Sequence, residues 1–219
     1  MTMQLLDSTL GSIACNVPGA TRVFHEFHLD FCCGGQKSLR QAALERGINA
    51  EQVQQRLLSL SGEDALDADW RKVPAERLIE HILQRYHEVH RAQLPELIRL
   101  AARVEQVHGG REHCPLGLTE LLIDMQQELE SHMQKEEQIL FPMIQRGAGV
   151  MVGGPISVMR YEHDQHGDAL QRIVELTDDM QPPANACNTW RALYRGLDEL
   201  RLALMQPIPL QNNLLLPRA

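Results

Sequence analysis

Aromatic residues are scarce in this 219-residue chain: two Trp, three Tyr and four Phe, 4% in all. A core must therefore be built from Leu, Ile, Val, Ala and Met. A sheet-rich fold, which draws on aromatic and β-branched residues, is disfavoured. A basic excess is lacking too. Twenty-one Lys and Arg against 29 Asp and Glu leave a formal net charge of −8, so the chain gains little from phosphates and no nucleic-acid partner is expected. No uncharged apolar run reaches the roughly 18 residues of a membrane span. The opening Met1-Thr2-Met3-Gln4-Leu5-Leu6-Asp7 has neither the basic start nor the apolar stretch of a signal peptide. Five cysteines, an odd number at scattered positions, do not make a disulfide framework. These absences predict a reducing, cytoplasmic setting with no membrane partner. What is present, 43% apolar and 23% charged residues, is ordinary for a globular protein of one or two domains.

Residues 1–62 read as a small helical domain. Ser38 with Gln41, and Asn49 with Gln52, fit the capping-box pattern that satisfies free N–H groups at a helix start. They predict short helices near 39–46 and 50–60. An earlier helix is expected over about 18–28, with Pro18 in its first turn. The acidic, aperiodic stretch from Ser61 to Asp69 reads as a linker. From residue 74 to 219 the pattern changes to long helices. Helix A is expected over about 75–107, bent at Pro95, and helix B over about 117–146. Helix C is expected over about 155–180 and helix D over about 187–205. Four such helices with short connections predict an antiparallel four-helix bundle, so the fold class is all-α: a small N-terminal helical domain followed by a bundle.

Three bundle helices carry a histidine deep in their length: His87, His132 and His163. Glu136 lies four residues after His132 on the same helix face, about 6 Å further along. Counted from the helix ends at ~1.5 Å per residue, all four fall near one cross-section of the bundle. Imidazole and carboxylate together suit iron, zinc or manganese, so these four are the candidate metal ligands. His108 lies 21 residues beyond His87, roughly 31 Å along a helix, and is expected to stay outside the site. His81, His90, His113 and His166 are read as surface or supporting residues, with His166 the first reserve.

An internal quasi-repeat bears on the fourth wall. Helix B reads His132-x3-Glu136-x5-Pro142, and the C-terminus reads Pro207-x3-Gln211-x5-Pro217. Pro207 and Pro209 remove backbone donors, so the regular part of helix D is expected to stop near 205. In the N-terminal domain, Cys32-Cys33 precedes Gly34-Gly35, where adjacent thiols in a turn can exchange with a disulfide or hold a soft metal. Cys32 and Cys33 are the redox candidates; Cys15, Cys114 and Cys187 are read as structural.

On these marks the chain resembles the repair-of-iron-centres family, hemerythrin-like di-iron proteins of iron–sulfur cluster repair. The marks are Asp30-Phe31-Cys32-Cys33-Gly34-Gly35, Arg85-Tyr86-His87, Ser131-His132-Met133, Lys135-Glu136-Glu137, Glu162-His163-Asp164 and the C-terminal Leu216-Pro217-Arg218-Ala219. The resemblance implies a hemerythrin-like bundle and iron ligation at His87, His132, Glu136 and His163. It also implies a His and a Glu on the last helix, where this chain has Pro207 and Gln211. The implied cofactor is therefore non-haem iron, a di-iron centre in the family, with the last-helix ligands absent here. The implied function is repair of iron–sulfur clusters damaged by nitrosative or oxidative stress. Iron–sulfur proteins would be the clients and NO or oxygen the small ligands, and a homodimer is admitted as an assembly. The alternative is a metal-poor helical binding protein with thiol chemistry at Cys32-Cys33.

Overall fold

The computed structural model of the chain describes all residues except 1, 18–19, 30, 32–34, 61–72 and 217–219. Among the described residues there is no strand, only an isolated bridge between Thr9 and Ser38, and the fold is all-α. Two compact units are present: Met1–Ile79 together with Met205–Ala219, and Glu80–Leu204.

In the first unit, α1 (Thr2–Asp7) and α2 (Leu10–Asn16) precede α3 (Ala20–Glu26), α4 (Leu39–Glu45) and α5 (Ala50–Ser59). The sequence pattern predicts α3 to α5 but not the two helices before them. The caps explain the starts. Ser38 accepts from the Gln41 N–H while the Gln41 side chain accepts from the Ser38 N–H, both at 3.2 Å, and Asn49 accepts from Glu51 and Gln52. Thr9 caps α2 by accepting from Ser12. A core of Leu10, Ile13, Phe24, Phe31 and Leu57 closes this unit, and Met205 packs against it. Pro18, Cys32, Cys33 and the expected linker lie outside the described residues.

The second unit holds most of the four long segments. Helix A comprises α6 (Ala75–Ile82), a π turn (Leu83–His87) and α7 (Glu88–His108). The helix continues through Pro95. Leu94 and Leu97, both buried, hold the helix on either side of the proline, so packing outweighs one lost backbone bond. Helix B comprises α8 (Leu118–Lys135), a π turn (Glu136–Leu140) and α9 (Phe141–Gln145). It starts from Gly117, whose φ of +87° costs a residue without Cβ nothing. Helix C is α10 (Gly153–Leu176) and helix D is α11 (Asn188–Met205). Helices A and B pack together, as do B and C. D reaches A at Gly196, whose carbonyl accepts from Gln93. A Cβ on Gly196 would stand 2.6 Å from Leu97 Cδ2, so the glycine permits this close approach. No described helix is long and apolar enough to cross a membrane.

The quasi-repeat has a backbone counterpart. Pro142 has no N–H and its ring crowds the carbonyl four residues back. The turn before it opens, and the Phe141 N–H bonds to Glu136 O five residues back. At the C-terminus, α11 ends at Met205 and α12 (Pro207–Leu210) begins with proline at its first position. A π turn (Gln211–Leu215) follows, in which the Leu216 N–H bonds to Gln211 O. Two of the three π turns among the described residues thus begin at equivalent positions, Glu136 and Gln211. Such turns are frequent at functional sites.

Candidate metal centre

His87 is the last residue of the first π turn and Glu136 the first of the second. His132 lies one turn earlier on helix B, and His163 lies in the middle of α10. All four are buried, none more than 5% exposed. His132, Glu136 and His163 each offer one ligand atom, and these atoms lie within 4.8 Å of one another. His87 meets the group through Glu136, its Nε2 3.0 Å from Oε2. The other Glu136 oxygen is 3.7 Å from His132 Nε2, so one carboxylate stands between imidazoles of two helices. The His132 and His163 rings are 4.9 Å apart.

Two carboxylates outside this group orient the rings. His87 Nδ1 donates to Glu137 at 2.7 Å, and His132 Nδ1 donates to Glu162 at 2.9 Å. Each bond fixes the tautomer and turns Nε2 toward Glu136, the arrangement that supports histidine ligands in metal sites. Both carboxylates are themselves held by cations. Arg91 donates to Glu137 and also to Glu130, while Lys135 pairs with Glu162. Burial raises the Glu137 and Glu162 carboxyls, but these cations and histidines outweigh it and both stay below the ordinary carboxylate range. For His87, burial disfavours the charged ring, yet bonds to Glu136 and Glu137 outweigh it and its pKa is raised. Both of its ring nitrogens face carboxylates, which favour the charged ring.

Sequence reasoning missed several of these residues. Glu137 sits beside Glu136, and Glu162 precedes His163. Adjacency to a candidate ligand was the signal available. His90 and His166, read as surface or supporting residues, are 3% and 4% exposed. The His166 ring lies edge-on to His132 at 5.0 Å. Each follows a candidate ligand by three residues on the inward helix face, which is why they are buried. His113 is exposed. His108 pairs with Cys187 instead of joining the group. Cys32 and Cys33 lie outside the described residues.

Three imidazoles and one carboxylate, buried and braced by outer carboxylates, match the mixed N/O donor set of iron, zinc or manganese. A buried carboxylate amid imidazoles is costly without cationic charge nearby, which a bound metal ion would supply.

Comparisons with known proteins agree with this chemistry. Residues 78–219 match the hemerythrin HHE cation binding domain, and residues 6–61 match the ScdA_N domain of unknown function. The chain is 50% identical over 217 residues to the iron–sulfur cluster repair protein YtfE of Dickeya chrysanthemi, covering 99% of this chain and 98% of that protein. Identity to the protein of the same name from Edwardsiella ictaluri is 48%, with the same coverage. For that from Escherichia coli O6:K15:H31 it is 46%, again with the same coverage.

Proposed function

The chain belongs to the hemerythrin HHE family and, within it, to the iron–sulfur cluster repair proteins, and on that premise we propose that it is a cytoplasmic non-haem iron protein that helps restore iron–sulfur clusters damaged by nitrosative or oxidative stress. The observation that carries this reading is the convergence of His132, Glu136 and His163, with His87 bonded to Glu136. These four residues would hold the iron. Bound iron supplies redox capacity and an open position for NO or oxygen. The protein's part is to hold the donors and manage protons. Glu137 and Glu162 keep the Nδ1 protons of His87 and His132 in place, which leaves Nε2 of each ring for the cation. To hold a cation His87 would have to present Nε2 unprotonated, so binding would weaken as pH falls.

One ion per chain is the tightly held complement in this reading. Pro207 has no side-chain ligand. Gln211 is neutral and cannot offset the charge of a second close cation, for which carboxylate is the suited donor. Iron–sulfur proteins are the clients, and Cys32 and Cys33 handle thiol exchange in the N-terminal unit. Iron and zinc measured side by side, on protein purified without added metal, together with reactivation of an NO-damaged [4Fe–4S] enzyme, test the reading. The expected result is about one iron per chain and reactivation that is lost in Glu136→Ala and His163→Ala. A chain without iron, or full reactivation by both variants, would overturn it.

A further inference from the structure

His108 and Cys187 stand 79 residues apart in sequence, yet His108 Nε2 lies 3.2 Å from Cys187 Sγ. His108 is the last residue of α7, and Cys187 immediately precedes α11. Cys187 is an exposed residue. His108 is only 6% exposed and its ring lies against Trp190, with centroids 5.2 Å apart. Its Nδ1 is buried without a hydrogen-bond partner, so among the described residues the Cys187 sulfur is its one polar contact. Burying an imidazole costs desolvation that an apolar residue of similar size would avoid. Here that cost sets an imidazole nitrogen beside the thiol of an exposed cysteine.

The backbone holds the sulfur in place. The Arg191 N–H donates to Cys187 O at 3.0 Å, which makes Cys187 the residue from which α11 starts, and unpaired N–H groups at a helix start favour developing negative charge nearby. The Arg191 guanidinium pins the preceding turn by donating to Ala184 O and Ala186 O. Cys114 offers a contrast within the same unit. It is half-buried, and burial together with Glu105 pushes its thiol pKa up.

We propose that Cys187 and His108 form a thiol–imidazole pair that reacts with low-molecular-weight disulfides, a modification site distinct from the metal centre. In the reaction Cys187 Sγ attacks one sulfur of R–S–S–R while His108 Nε2 takes the thiol proton. The reagent's S–S bond breaks as the Cys187–S–S–R bond forms. The departing thiolate takes the proton from Nε2 and leaves as R–SH. One disulfide is consumed and one is made, so no further oxidant is needed. A base within hydrogen-bond reach of its nucleophile is the arrangement that activates such a thiol.

The test uses the full chain, reduced and then exposed to glutathione disulfide at pH 7, with the rate of mixed-disulfide formation read at each cysteine by peptide mass spectrometry. Cys187 is expected to react at least about tenfold faster than free N-acetylcysteine under the same conditions, a modest return for a positioned base. His108→Gln should bring Cys187 down to the free-thiol rate while leaving the Cys114 rate and the helical circular dichroism unchanged. A wild-type Cys187 no faster than N-acetylcysteine overturns the proposal whether or not the variant folds. A Cys187 rate unaltered in a folded His108→Gln chain overturns it as well.

Discussion

His90 and His166 make the metal-free bundle sensitive to acid. Each is buried one turn beyond a candidate ligand. Burial first, and then the nearby His87, holds His90 down to about 4. Burial, followed by His132 and His163, holds His166 down to about 3. In an unfolded chain each would titrate near ~6.5. Because the folded values are lower, the unfolded chain binds more protons below that pH. The stability associated with the neutral rings is complete above ~6.5 and is lost as pH falls toward the folded values. At pH 5 the two rings are still neutral in the fold but mostly protonated once unfolded. At about 1.4 kcal/mol per pH unit, each accounts for about 2 kcal/mol of lost stability, and the pair for about 4 kcal/mol. The perturbation is the double variant His90→Leu with His166→Leu, which keeps apolar volume in both places. Urea unfolding of metal-free protein, followed by circular dichroism at pH 7 and pH 5, measures the effect. The wild type should lose about 4 kcal/mol more than the double variant on going from pH 7 to pH 5, since other titrating groups are common to both chains. Equal losses would refute the reasoning, for they would mean that the two rings take up protons in the fold as readily as outside it.

Glu137→Gln and Glu162→Gln should each weaken iron binding about 10- to 100-fold by loosening the histidine they orient; chelator competition measures this, and unchanged affinity would remove these carboxylates from the site. Arg91→Ala should lift Glu137 and Glu130 back toward the ordinary carboxylate range. Their contribution, present above ~4.3 and lost as pH falls through the lowered folded values, should shrink by about 1 kcal/mol, since the pair at Glu130 is partly exposed; acid-unfolding midpoints compared between the two chains test this. Pro207→His with Gln211→Glu, and Pro209 replaced so that a helix can form, should raise iron toward two per chain by metal analysis. If the unaltered chain already holds two tightly bound irons, Pro207 and Gln211 are not the limitation.

Helical spacing, capping and charge are local properties, and the sequence carried them openly. Ser38 with Gln41 marks a helix start because the two groups that satisfy each other are three residues apart, and Pro207 marks the end of α11 because proline lacks a donor wherever it stands. His132 and Glu136 share a face by virtue of the helical repeat alone. The likeness of the two halves of the quasi-repeat was visible in the spacing, whereas the matched π turns required the backbone. Tertiary structure decided the rest, because burial and partnership depend on what a distant segment brings. A histidine three residues past a ligand reads as surface or supporting until the neighbouring helix covers it, as at His90 and His166. Glu137 and Glu162 become props for His87 and His132 only because helices A, B and C pack side by side, and a carboxylate beside a ligand has no local mark that separates it from a solvated one. The segment after Met205 groups with the N-terminal unit, a choice made by packing of its apolar face. Cys187 gains His108 from 79 residues away, a contact that only the packed bundle could make.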